Sequence, residues 1–172
     1  MSKRVLIFSP GGLDLPGGVT RMVRYFTEAW AKQPGAPDFE IVDSRGSGSA
    51  LWSPFYLLAA AAHLVWRALQ GRVLLAHVNY GGRLSALRKS LLILLAAWLG
   101  IPIVLHLHGG VFDEFYRSLP RPLQAALRTS FGQAARIIVL GQSWRKFVIE
   151  ELRVPAHRVV VLPNAVPAPT AR

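Results

Sequence analysis

Hydrophobic and polar positions along the chain follow two alternating periods, one typical of buried strands and the other of helices. Short apolar runs bounded by glycine, proline or polar clusters predict strands at residues 4–9, 39–42, 73–78, 103–107, 136–140 and 158–162. Apolar residues at three- and four-residue spacing predict helices at 19–32, 54–70, 83–99, 113–132 (broken at two prolines) and 143–152. The alternation predicts an α/β fold, a Rossmann-like doubly wound parallel sheet with helices on both faces.

Two of the predicted helices carry long apolar runs, at residues 55–69 and 91–99. Both runs are shorter than the roughly 20 apolar residues that a helix needs to span a bilayer. We therefore expect both to be buried helices of the domain rather than membrane spans.

The strand at 103–107 leads into the most distinctive polar stretch of the chain. His106 and His108 should share one face of this strand, with His108 nearer its carboxyl end, because side chains alternate along a strand. Ligands of open parallel sheets bind outside the carboxyl ends of the strands. Gly109 and Gly110 would let a ligand approach the backbone closely, so we predict that His108 lines the site.

The two histidines have a second interpretation, as half of a metal site completed by His77 or Asp113. Strand histidines more often serve as core residues or hydrogen-bond partners of a ligand, so we expect no metal. Asp113 could also bind a substrate hydroxyl or act as a base. Equally, it could stabilise the start of a helix through the helix dipole, and the sequence leaves this choice open.

Gly17 and Gly18 precede the first predicted helix. The amino terminus of a helix offers free amide donors and a partial positive charge, which favours a phosphate, and the glycines keep the approach clear. The segment matches neither the dinucleotide fingerprint nor the P-loop, and a plain turn is the simpler alternative.

Charge is distributed unevenly along this chain of net charge +11, since no acidic residue occurs from 44 to 112. The cations in that segment are Arg45, Arg67, Arg72, Arg83, Arg88 and Lys89. A basic, apolar block suits an anionic membrane surface or a phosphate-bearing lipid, and the alternative is a solvated basic face. No nucleic-acid-binding motif is present, so we expect no nucleic acid partner. The absence of cysteine excludes disulfides and thiolate metal sites.

Taken in chain order, five segments resemble the amino-terminal half of the GT-B glycosyltransferases, specifically the retaining family 4. They are residues 5–8, 17–19, 105–109, 135–144 and 159–166. Two positions depart from the family pattern, Gly141 where serine is usual and Ala165 where glycine is usual.

The resemblance implies roles for individual residues. His108 matches the histidine that borders the transferred sugar, and is the expected catalytic residue. Gly17 and Gly18 match the loop near the donor phosphates or the acceptor, and Gly109 matches the small residue after the histidine. Asn164 matches the asparagine at which the chain leaves for a second domain.

By resemblance, residues 1–162 are the acceptor-side domain and residues 163–172 begin the linker to a second, donor-binding domain that the sequence lacks. The implied enzyme moves a sugar from a nucleotide-sugar donor to a saccharide or lipid-linked acceptor with retention and without a cofactor. We expect this domain alone to be inactive and to lie in the cytoplasm, peripheral to the inner face of the membrane. Two alternatives are an acceptor-binding subunit of a split two-chain transferase and a non-catalytic phospho-ligand binding module.

Overall fold

The computed structural model describes residues 2–164 as a six-stranded sheet with six helices. The strands are β1 (Arg4–Ser9), β2 (Phe39–Asp43), β3 (Val73–Tyr80), β4 (Ile103–Leu107), β5 (Arg136–Val139) and β6 (Val159–Val161). The helices are α1 (Gly18–Ala31), α2 (Ser53–Leu69), α3 (Leu84–Trp98), α4 (Phe112–Ser118), α5 (Arg121–Gly132) and α6 (Gln142–Glu150). Most of the expected linker, including Ala165, lies outside the described residues.

All neighbouring strands pair in parallel, in the order β2-β1-β3-β4-β5-β6. The predicted α/β Rossmann-like sheet is therefore confirmed. The chain first moves outward from β1 to β2 and then crosses back to β3 and beyond, so the direction of winding reverses between β1 and β3. Ligands of doubly wound sheets bind outside the carboxyl ends at such a reversal.

The two faces of the sheet carry unequal helix layers. In β1, Val5 and Ile7 pack with Val23 of α1, while Leu6 and Phe8 point into the larger core on the other face. That larger core takes buried side chains from α2, α3, α4, α5 and α6. The prediction of helices on both faces is confirmed, and among the described helices one packs on the first face and five on the second.

The expectation that α2 and α3 are buried helices is wrong for half of each helix. Ala60 and Leu64 of α2 are buried against the sheet, but the opposite side of the helix is open, and Phe55 is 63% exposed. In α3, Trp98 is 81% exposed. The reason is architectural, because these helices form the outermost layer and no described element covers them. Within residues 2–164, no helix is both long and apolar enough to cross a bilayer.

Proline chemistry explains how the predicted interrupted helix divides. Helix α4 ends at Ser118, Pro120 adopts an extended conformation, and α5 begins at Arg121 with Pro122 in its first turn. Proline is tolerated in the first turn because the amide hydrogen that it lacks has no partner inside the helix there. The break leaves α4 short and close to the carboxyl end of β4.

Candidate functional site

His108 lies just past the end of β4, at the edge of the sheet where the carboxyl ends of the strands meet. Its backbone amide donates to the carbonyl oxygen of Tyr80 at the end of β3, at 3.0 Å. The ring of His108 stacks on that of His106, with centroids 4.2 Å apart. The two histidines therefore share one face, as the strand period predicted.

Asn79 fixes both the orientation and the tautomer of His108. This buried amide donates from Nδ2 to the carbonyl oxygen of Phe8 at 3.2 Å, which turns its Oδ1 toward His108 Nε2 at 2.9 Å. Because Oδ1 can only accept, Nε2 of His108 carries the hydrogen and donates. Its Nδ1 is then the nitrogen with a lone pair, able to accept from a ligand hydroxyl.

Three histidines form a stacked row on this face of the sheet. The His77 ring lies 5.8 Å from that of His106, and its other side meets the edge of Phe26 at 5.6 Å. Burial lowers the pKa of His77 and of His106 to about 4 and that of His108 to about 2, with neighbouring charges adding to the shift for the last two. All three rings are therefore neutral at pH 7.

The stacked arrangement does not form the alternative metal site. The ring planes of His77 and His106 meet at 14°, and those of His106 and His108 meet at 24°. Because the three rings are nearly parallel, their nitrogens do not converge on a point. Across the part of the chain that the structure describes, no group of three or more histidine or carboxylate side chains is placed to hold a metal ion. Buried Nε2 atoms of His77 and His106 have no hydrogen-bond partner there.

A buried lysine lies beneath the site, and sequence reasoning missed it. Lys89 of α3 donates from Nζ to the backbone oxygen of Asn79, and its charge lowers the pKa of His108. Burial and the nearby Arg88 lower the pKa of Lys89 itself to about 7. The sequence feature that could have identified Lys89 is its position, since it falls on the inward stripe of α3 with Ala86 and Ile93.

Beside His108, the surroundings of Gly109 exclude a side chain. Its φ is +74°, a conformation that L side chains rarely adopt, and an added Cβ would lie 2.8 Å from Nε1 of Trp144. Trp144 comes from the first turn of α6 and packs on the larger core. Gly110 also has positive φ, +75°, but no atom lies within 4 Å of the Cβ position.

We expect Gly109→Ala to destabilise the domain by about 2–4 kcal/mol, because a strained backbone adds to a clash with the Trp144 ring. Gly110→Ala is the matched control, since it has the same backbone strain without the clash, and should cost about 1–2 kcal/mol. Urea denaturation followed by circular dichroism measures both. Equal losses of stability in the two variants would show that Trp144 does not constrain Gly109.

The glycine loop lies at the amino end of α1, with Gly17 as the capping residue and Gly18 as the first helical residue. Gly17 lines a shallow cavity of about 420 Å³ together with Thr20, Arg21 and Arg24. No acidic residue occupies the first turn of the helix, and one carboxylate, Asp14 of the preceding loop, also lines the cavity. Two guanidinium-bearing residues beside a helix amino terminus suit an anion, and the phosphate role of Gly17 and Gly18 stays a prediction.

The two remaining candidates, Asp113 and Asn164, form no hydrogen bond with His108 in the described part of the chain. Oδ2 of Asp113, in the first turn of α4, lies 3.4 Å from Nη1 of Arg117. Nη2 of the same arginine lies 2.7 Å from Oε1 of Glu151. This geometry matches the helix-stabilising alternative for Asp113, and a substrate role stays a prediction. Asn164 is exposed, three residues beyond the end of β6, and its role where the chain leaves for a second domain stays a prediction.

Comparison with known proteins gives one finding that bears on identity. No curated protein matches the chain significantly. A family model described as Glycosyltransferase Family 4 matches residues 16–168, which span the glycine loop, the histidine strand and the helices between them. With its parallel Rossmann-like sheet, the chain therefore belongs to glycosyltransferase family 4.

Proposed function

We propose that this domain forms the acceptor side of a retaining glycosyltransferase, which transfers a sugar from a nucleotide-sugar donor to a saccharide or lipid-linked acceptor. Membership of glycosyltransferase family 4 supports glycosyl transfer in general. The observation that carries the proposal is His108, a neutral imidazole fixed by Asn79 at the carboxyl edge of the sheet. Such a side chain can orient a sugar before and during transfer.

His108 acts in this proposal by hydrogen bonding rather than by proton transfer. Its lowered pKa keeps it neutral at pH 7, so it has no proton to give as a general acid. With Nε2–H engaged by Asn79, Nδ1 accepts from a hydroxyl of the transferred sugar. A hydrogen-bonding nitrogen held in a fixed position lowers the barrier to transfer, because it holds the reacting sugar in one orientation.

The glycine loop supplies the second contact of the proposed mechanism. Amides at the start of α1, with Arg21 and Arg24 beside them, bind a phosphate of the donor or of the acceptor. We propose that a separate donor-binding domain completes the cleft, in the same polypeptide or in a partner chain. Alone, the acceptor side should not transfer sugar.

The cavity at Gly17 also favours a second candidate function, a phospho-ligand binding module without catalysis. The cavity is lined by Arg21 and Arg24 with one carboxylate, Asp14, and all of these residues belong to this domain. In that case a phosphosugar or nucleotide would bind saturably, and no transfer would follow when a donor-binding domain is added.

The charge pattern supports a location at a membrane. The segment from 44 to 112 has no acidic residue and six cations, and it includes all of α2 and α3. We propose that the protein works in the cytoplasm, peripheral to the inner face of the membrane, where a lipid-linked acceptor would be presented.

A transfer assay tests the proposal. The chain, combined with a family 4 donor-binding domain, would be incubated with nucleotide-sugar donors and with saccharide and lipid-linked acceptors. We expect a glycosylated product whose anomeric configuration, read by NMR, equals that of the donor. A product of inverted configuration would refute retention, and saturable phosphosugar binding without any product would favour the binding module.

A further inference from the structure

We propose that the outer faces of α2 and α3 together form the surface by which this domain docks on an anionic phospholipid leaflet. The surface, called here the outer apolar face, is defined by exposed side chains of both helices. They are Phe55, Leu58, Trp66, Leu69, Leu91 and Trp98. The proposal extends the proposed membrane location to particular residues, and its vesicle test needs no sugar transfer.

Residue spacing places these side chains directly away from the protein. In α2, positions 55, 58, 62, 66 and 69 recur every three or four residues, which aligns them along one side of a helix. The buried Ala60 and Leu64 lie on the opposite side. In α3, positions 84, 91 and 98 repeat every seven residues, and all three side chains are exposed.

The two stripes belong to one surface. Helices α2 and α3 touch each other and bury their inner sides in the same core, so their outer sides point in the same direction. Leu69 is 77% exposed and Trp66 is 61% exposed. Aligned apolar stripes on two adjacent helices mark an interaction site, since isolated exposed apolar residues are common but such stripes are not.

Charge identifies the occupant as an anionic surface. Both helices lie within the acid-free segment from 44 to 112. Arg45 and Arg88 lie close enough for the charge of Arg45 to lower the pKa of Arg88, and neither forms an ion pair within residues 2–164. Arg83, exposed just before α3, adds a third cation. Anionic lipid headgroups would neutralise this cluster.

The same charges disfavour a second copy of the chain as the occupant. In a two-fold dimer the same surface would meet itself, so its cations would face cations. The segment from 44 to 112 offers no carboxylate to pair with them, and Glu114 of α4, which lines a cavity with Arg83, is one carboxylate against three arginines. A lipid leaflet satisfies both requirements, apolar contact for the helix stripes and negative charge for the arginines.

Tryptophan placement matches the chemistry of the membrane interface. Trp52, Trp66 and Trp98 are all exposed on this side, at 60%, 61% and 81%. The amphipathic indole ring favours the headgroup level of a bilayer, where its apolar body and its N–H group are both satisfied. These rings would anchor the helices parallel to the membrane plane.

In this orientation the cation cluster lies at the carboxyl-end edge of the sheet, while the three histidines face α1 on the far side of the sheet. Chain order puts the amino ends of α2 and α3 next to the carboxyl ends of β2 and β3, the edge that holds His108. Arg88 donates to Oγ of Ser53, the first residue of α2, so the cation cluster lies at that end. If the proposed transferase function holds, the lipid-linked acceptor would present its anionic head there.

Vesicle co-sedimentation of the intact chain tests the inference. We expect binding to phosphatidylcholine vesicles containing phosphatidylglycerol, weaker binding in high salt, and little binding to phosphatidylcholine alone. The double variant Trp66→Gln/Trp98→Gln should lower the vesicle partition constant about tenfold or more, because two apolar anchors are lost. Val160→Ser, on the opposite face of the sheet, is the control and should leave binding unchanged.

Two further measurements separate the possible occupants. Lipids with brominated acyl chains should quench tryptophan fluorescence in the parent chain, and less so in the double variant. Arg83→Gln should weaken binding to anionic vesicles, whereas Arg136→Gln, on the opposite face, should not. The inference is overturned by folded protein that binds no vesicle, by a double variant that binds like the parent, or by a concentration-dependent dimer that the double variant abolishes.

Discussion

On acidification from about pH 7 to about pH 4, we expect the domain to unfold. His77 and His106 have folded-state pKa values lowered from 6.5 to about 4 by burial. Between these limits the unfolded chain binds more protons than the folded one, so the stability present above pH 6.5 is lost as the pH falls toward 4. For His77 alone the loss is about 3 kcal/mol, and His106, whose pKa is lowered by burial and in part by His77, adds to it. Domains of this kind have a total stability of about 5–15 kcal/mol.

Urea titrations at a series of pH values measure this loss. His77→Leu places an apolar side chain beside Phe26 and removes one titrating ring. The slope of unfolding free energy against pH should therefore fall by the amount that corresponds to about one bound proton. His157→Gln changes an exposed histidine and serves as the matched control for replacing a histidine. If His77→Leu and the parent chain show the same slope, His77 is not the group that drives acid unfolding.

Replacing His108 by alanine should lower the rate of sugar transfer by about a hundredfold, with a smaller effect on the apparent affinity for the acceptor. The imidazole is fixed by Asn79 before substrate arrives, so its loss removes a preorganised contact rather than general binding affinity. The measurement is kcat and KM of the active enzyme, with the chain joined to its donor-binding domain.

Matched variants make this result interpretable. Asn79→Ala leaves the imidazole in place but frees its orientation, so it should reduce kcat less than His108→Ala does. The nitrogen chemical shifts of His108 should then show a mixture of tautomers. His157→Ala removes an exposed histidine and should leave kcat unchanged. Unaltered transfer in His108→Ala would remove His108 from the mechanism.

Local patterns predicted the strands well because burial on both faces of a parallel sheet leaves a continuous apolar run. β1 and β4 have the predicted bounds, and the observed helices begin or end within about two residues of those predicted. β3 runs on to Tyr80, past its predicted end at 78, because its last residues pair with β4. That pairing is a tertiary fact, and no local pattern encodes it.

Strand geometry predicted only part of the site. The shared face of His106 and His108 follows from a period of two. The bond from His108 to Asn79 depends on the register that sets Asn79 beside His106, and the constraint on Gly109 depends on where α6 places Trp144. Lys89 was predicted only as part of a basic block, because a charged residue in an apolar helix is normally expected to face water.

The uneven helix layers described above have a consequence for motion. α1 is held against the sheet by a small group of side chains, Val5, Ile7 and Val23 with their partly buried neighbours, whereas β3 and α3 share the large core. Local opening of α1 therefore costs less free energy than opening of the opposite layer. The glycine loop at the start of α1 can thus reshape around a ligand while His108, held from β3, keeps its orientation. The glycine loop is therefore the adaptable half of the site, and His108 is the rigid half.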